Sequence, residues 1–144
     1  MTPPPSPGAS ARGKWTHRRF FALLAELDRL RVIHRSGPST FEALCTMGPH
    51  GFAEGFMNSI TDAYHWHLKV DGFRWVQSHD TVHARSGRRV IFFTLAEQAG
   101  GAPFSFIYVH REKGDEFDTD IETRFLGAHA ELQAGVALAV ESLS

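Results

Sequence analysis

The sequence predicts an α+β fold: a curved antiparallel β-sheet flanked by an N-terminal helix and one or two C-terminal helices. Three observations carry this. An apolar stripe at three- and four-residue spacing, Phe20, Leu23, Leu24, Leu27 and Leu30, marks a helix near the start. The middle is a succession of short branched and aromatic segments separated by Gly/Pro-type turns. A second stripe, Ile121, Phe125, Ala128, Leu132 and Val136, marks a helix near the end. Strands joined by short turns pair antiparallel, and helices segregated from a run of strands make the class α+β.

Each element follows in order. Met1 to Gly13 is Pro/Ser/Gly-rich with no apolar run and reads as a disordered leader. Residues 14–144 read as a single domain, long enough to bury a real core. Trp15 to about Leu30 is the first helix, with His17, Arg18, Glu26 and Arg29 on its polar face. From Arg31 the period changes: Val32-Ile33-His34 is a short strand broken by Gly37-Pro38. Thr40 to Met47 forms a second strand, closed by Gly48-Pro49-His50-Gly51, and Phe52 to Ile60 reads as strand or extended loop interrupted at Gly55. Tyr64–Val70 and Phe73–Gln77 are strands, and Asp71-Gly72 between them is a two-residue hairpin signal. Thr81-Val82-His83-Ala84 is another short strand, which Ser86-Gly87 turns into Arg89–Leu95; Gly100-Gly101 then leads into Phe104–His110. Thr119 and Glu122 have capping-box spacing for the last helix, and Asp118 and Asp120 add favourable charge at its positive end. Gly127 and Gly135 weaken that helix, so it forms one piece or two.

Composition excludes several functions. The only cysteine, Cys45, rules out a disulfide within the chain and any cysteine-based zinc or iron–sulfur site, and it fits a reducing compartment. No run of about 18 apolar residues exists, so no membrane insertion is expected and the cytoplasm is the expected location. Between Arg12 and Arg35 there are seven basic residues against two acidic ones, whereas from Arg111 onward there are three basic and eight acidic. A basic helix suits a phosphate backbone, but the acidic remainder repels one, so nucleic acid is not an expected partner. The opposite charges place the two ends near each other, within a protomer or across a homodimer.

Histidine is the residue type with the most to say. Of nine copies, seven fall in the middle: His34, His50, His65, His67, His79, His83 and His110. In Tyr64-His65-Trp66-His67-Leu68 the two imidazoles lie two apart on a strand, so they share a face. Imidazole ligates metals and changes charge near neutral pH. A His-x-His strand begins the metal site of the cupins, but that site needs a Glu shortly afterwards. Here Leu68, Lys69, Val70 and Asp71 follow, which leaves His65 and His67 with His110 as a distant third ligand. No Gly-x-Ser-x-Gly turn and no phosphate-binding Gly loop is present, so the sequence shows no catalytic constellation.

A haem site needs an axial imidazole, a flat apolar wall and cations for the propionates. His34 and His67 are candidate ligands; Phe52, Phe56, Phe73 and Trp75 are available for a wall; Arg35, Lys69, Arg74 and Arg85 are near in sequence. Two alternatives stand beside haem: a non-haem metal site using His65 and His67, and a dimeric small-ligand module without metal. In the latter, His79 and His83 are hydrogen-bonded strand residues.

The Val32-Ile33-His34 strand, the Gly-rich middle, the strand Tyr64–Leu68 and the hydrophobic strand Val90-Ile91-Phe92-Phe93 together resemble the cytoplasmic haem-utilisation carriers of the ChuX/HutX family, relatives of the two-repeat HemS haem proteins. The resemblance runs from about Arg31 to Glu116. It implies a curved antiparallel sheet flanked by helices and paired into a homodimer. It also implies haem as cofactor, carried and handed between a donor and an acceptor protein, with no clear enzymatic step. The family's two haem-contacting histidines fall on His34 and His67, His67 being the favoured axial ligand, with Arg35, Lys69, Arg74 and Phe73 around them and His65 as a further metal candidate. The family's longer N-terminal helical region is reduced here to one helix, and Asp80–Arg85 matches none of its haem contacts.

Overall fold

Thr16 opens the first helix by accepting a hydrogen bond from the Arg19 N–H at 3.1 Å, which satisfies one of the orphan donors of the first turn. The computed structural model describes residues 14–111, 114 and 116–141; the leader expected at 1–13 lies outside the described residues. The elements are α1 (His17–Glu26), β1 (Arg29–Ser36), β2 (Ser39–Thr46), β3 (His50–Ala53), β4 (Phe56–Ile60), β5 (His65–Lys69), β6 (Trp75–Val82), β7 (Arg89–Ala96), β8 (Ser105–Val109), α2 (Thr119–Leu132) and β9 (Val136–Ala137). The α+β class read from the sequence is the class observed.

The strands form two antiparallel sheets, a six-stranded one in the order β2-β1-β8-β7-β6-β9 and a three-stranded one in the order β3-β4-β5. One face of the large sheet carries Leu30, Val32, Val76, Ile91, Phe93, Leu95, Ile107 and Val109, all buried. Against it pack Phe20, Phe21 and Leu24 of α1 and Phe125, Ala128 and Leu132 of α2. Aromatic edges hold this core together: Phe93 meets Phe20 at 5.4 Å and Phe125 at 5.2 Å, both edge-on, as ring quadrupoles favour. His17 is buried too, its Nε2 bonded to the Phe73 carbonyl at 2.9 Å, so a residue read as polar-face pins α1 to the chain after β5.

Three boundaries differ from the sequence reading. The first helix stops at Glu26, because Asp28 takes φ +62° and reverses the chain; Leu27 and Leu30 still enter the core, but from the helix cap and from β1. The two strands expected at Phe73–Gln77 and Thr81–Ala84 are instead parts of a single strand, β6, which runs Trp75–Val82. Asp71-Gly72 makes no hairpin: Val70–Gly72 is a short 3-10 turn carrying the chain from the small sheet to the large one. A type I′ turn needs φ above zero at both central residues, which neither Asp71 nor Gly72 has, and Val70 and Phe73 on either side are both drawn into the core. The turn of that kind is Glu54-Gly55 between β3 and β4, with φ +55° and +81°.

Asp118, one residue before Thr119, caps α2 by accepting from the Ile121 N–H at 3.1 Å. The helix ends at Leu132, and Val136 of the apolar stripe lies instead in β9. The acidic C-terminal third and the basic N-terminal segment meet within the protomer. Arg19 pairs with Glu131 at 3.4 Å, and Arg124 pairs with Glu26 at 3.1 Å.

Candidate functional site

Strand alternation builds a pocket at the open edge of the large sheet. On β1, Val32 and His34 point to the side of the small sheet; on β2, the paired positions are Ala43 and Phe41, with Cys45 opposite Leu30. Trp66 of β5 faces them, its ring 5.8 Å from that of His34. With Tyr64 and His65 these residues line a mainly apolar cavity of about 110 Å³. Phe41, 68% exposed, forms its rim, because β2 is the last strand of the sheet. A second cavity of about 340 Å³ shares Cys45 and Tyr64 with the first and is lined also by Arg29, Leu44, Thr46 and Thr61.

The Tyr64 hydroxyl fixes this geometry. It donates to the Thr46 carbonyl at 2.7 Å and accepts from the Gly48 N–H at 3.0 Å. Its single proton being spent on Thr46, the 3.1 Å contact with Ser59 Oγ has Ser59 as the donor. One oxygen thus ties the end of β2 to β4 and seats β5 across the hairpin.

Burial pushes the His34 pKa below its ordinary value, because desolvation disfavours the imidazolium. The neutral, ligating form is therefore the one the pocket favours. Burial pushes the Cys45 thiol up, away from the reactive thiolate.

The other predicted residues scatter. His67 lies on the opposite face of β5 from Trp66, exposed, with Nδ1 on Asn58 Oδ1 at 2.6 Å. His65 neighbours it with ring centres 6.1 Å apart. Arg35 follows His34 on the strand and so points the other way, its guanidinium 4.7 Å over Phe106. Lys69 and Arg74 are exposed and line neither cavity. Phe73 is wholly buried in the core against His17 and Phe21, and so is not available as an open wall for a ligand. Trp75 packs on Gly135, and Phe52 on Phe21. The three-histidine metal set is not assembled: His110, just after β8, lines a separate cavity of about 520 Å³ with Arg31 and Tyr108, away from the small sheet. Among the described residues no group of three or more His, Cys, Asp or Glu side chains is placed to hold a metal ion. His79 bonds Thr94 Oγ1 at 2.9 Å, and His83 accepts from the Ser86 N–H at 3.2 Å in the next turn.

Sequence reasoning missed Phe41, Cys45, Tyr64 and Arg29 as pocket residues. Trp66 was accessible to it: lying between two histidines on a strand, it must face the other way.

The chain has the ChuX/HemS-type fold. No protein-family model matches the sequence, and no curated protein does. Among solved structures it is similar to the heme binding protein ChuX, with TM-score 0.67 and 11% identity over 81% of this chain and 72% of that one. A protein from Agrobacterium tumefaciens gives 0.65 and 20% identity over 81% and 68%. Holo-PhuS, a heme-binding protein from Pseudomonas aeruginosa, gives 0.60 and 14% over 74% of this chain and 30% of that one. At such identities the likeness is one of fold. No helix among the described residues is long and apolar enough to cross a membrane.

Proposed function

We propose that the chain binds haem in the groove between the β1–β2 hairpin and β5, with His34 as ligand, and passes it to a partner protein in the cytoplasm. The observation that carries this reading is His34 itself: an imidazole kept neutral by burial, facing Trp66 across an apolar pocket, in a fold that two heme-binding proteins share. Bound haem would supply an iron with an open coordination position and two propionates. The chain supplies the imidazole, the apolar walls and, in the adjoining cavity, Arg29. The 110 Å³ pocket is small beside the roughly 300–1,000 Å³ of ligand clefts, so it suits one edge of a macrocycle that extends past Phe41 and into the adjoining space. His67, which the sequence favours as axial ligand, is the second candidate; its position across β5 makes His34 the better one.

A hemin titration followed by Soret absorbance tests the assignment. We expect a saturable shift near one haem per chain, lost in His34→Ala and kept in His67→Ala. A His34→Ala titration indistinguishable from wild type overturns it, and loss in His67→Ala alone moves the ligand to the other face of β5.

The same reading includes a homodimer. The outer face of the large sheet carries Ile33, Phe92, Phe106 and Tyr108, half-exposed, with His79, Phe92 and Tyr108 stacked at 4.6 and 4.5 Å across three strands. A contiguous aromatic face of this kind calls for cover, and a second copy about a two-fold axis supplies a matching one. Light scattering at micromolar concentration should give twice the chain mass; a monomer mass overturns the dimer.

A further inference from the structure

The face of β5 that turns away from the haem pocket carries an arrangement that the carrier reading leaves unused. His65 and His67 both project from it, exposed, and their rings meet edge-on at 6.1 Å, with His65 also reaching the rim of the pocket. The register places Asn58 of β4 directly beside His67 and Ile60 beside His65. Asn58 is held by its own hydrogen bond, Nδ2 donating to the Phe56 carbonyl at 3.2 Å. That bond turns Oδ1 towards His67, where it meets Nδ1 at 2.6 Å.

The amide oxygen can only accept, so Nδ1 carries a proton and Nε2 is the nitrogen left to meet a metal ion. A carbonyl or amide oxygen holding the far nitrogen of an imidazole is the outer-shell support that orients metal-ligating histidines and raises their basicity. Two imidazoles at the usual metal–nitrogen distance of roughly 2.0–2.1 Å bring their ring centres to about 5 Å. Closing the observed 6.1 Å takes only a small rotation of two exposed side chains.

We propose that His65 and His67 form a chelating site for a divalent transition cation, with Asn58 as the positioning residue for His67 and water completing the coordination. Imidazole suits copper, nickel and zinc, and the order of divalent affinities puts Cu²⁺ first. The site does not rest on the haem reading: Trp66 and His34 lie on the other side of the strand, and of its two ligands only His65 also borders the pocket.

The test is calorimetric titration of the purified, haem-free full chain with Cu²⁺, followed by electron paramagnetic resonance of the one-equivalent sample. Wild type should bind one tight Cu²⁺ per chain with hyperfine structure from two imidazole nitrogens. Asn58→Ala, which keeps both ligands, should weaken binding by about tenfold or more while leaving the circular dichroism spectrum unchanged. The His65→Ala/His67→Ala double variant should lose the tight event, and His34→Ala should keep it. Equal affinity in wild type and the double variant overturns the proposal. Loss in His34→Ala overturns it as well, because the ion would then sit in the haem pocket.

Discussion

Tyr64→Phe isolates what one hydroxyl contributes to the pocket. The change keeps the ring and deletes an oxygen with three partners: the Thr46 carbonyl at 2.7 Å, the Gly48 N–H at 3.0 Å and Ser59 Oγ at 3.1 Å. Thr46 is exposed, so water replaces its lost donor at little cost. Ser59 is fully buried and the Gly48 N–H partly so, and each loses its acceptor in a place water reaches poorly. With about 0.5–1.5 kcal/mol for an ordinary bond and about 1–3 for a buried group left unpaired, the sum is roughly 2–3 kcal/mol. For a chain of 144 residues each kcal/mol moves the midpoint by about 3 °C, so thermal unfolding followed by circular dichroism should shift down by roughly 6–9 °C. The hemin titration should weaken in parallel, because the same oxygen seats β5 across the β1–β2 hairpin. A midpoint within about 2 °C of wild type would refute the idea that this oxygen joins the two sheets.

Gly135→Ala should be among the most damaging small substitutions. Gly135 has φ +87°, and an added Cβ would lie 2.1 Å from Trp75 Cζ2, so backbone strain of roughly 1–2 kcal/mol adds to displacement of the indole and of β9. Urea unfolding should show a loss above about 3 kcal/mol, and an unchanged midpoint would contradict the close approach. Acid should destabilise the fold through its half-buried imidazoles. Burial lowers His34, His50 and His79, with a further push on His79 from the charge of His129. A histidine depressed in the folded state stabilises it above the ordinary value of 6.5, and that contribution is lost as pH falls through the folded value. The melting temperature should therefore drop between pH 7.5 and about pH 5; a flat profile over that window would show that these imidazoles are not desolvated.

Much of this geometry was legible because it is local. Period and turn residues located the strands of the large sheet except the two-residue β9, though they split β6 in two, and the alternation of β5 already put His65 and His67 on one face and Trp66 on the other. What stayed hidden depends on contacts distant in sequence. Whether β3–β5 extend the main sheet or form their own is decided by where Val70 and Phe73 find burial, and nothing in their own spacing records it. The cations proposed from nearness in sequence failed for a reason the strand period contains: Arg35 adjoins His34 and must point the other way. The partners of His34, Phe41 across the hairpin and Trp66 from another sheet, became visible only with register and packing.

The first and last described stretches of backbone run side by side. Ala139 donates to the Trp15 carbonyl at 2.8 Å, Thr16 bridges Ala139 in parallel, and Glu141 accepts from the Arg18 N–H at 3.0 Å. Entry and exit therefore share one spot, at the start of α1, while the groove beside His34 opens at the β1–β2 edge. Such a domain can be spliced into a host loop, or relinked end to end and reopened at an exposed turn such as Ser86-Gly87, without rerouting a strand. For engineering, that makes this fold a cassette, in which the protein it is attached to can be exchanged while the groove keeps its walls.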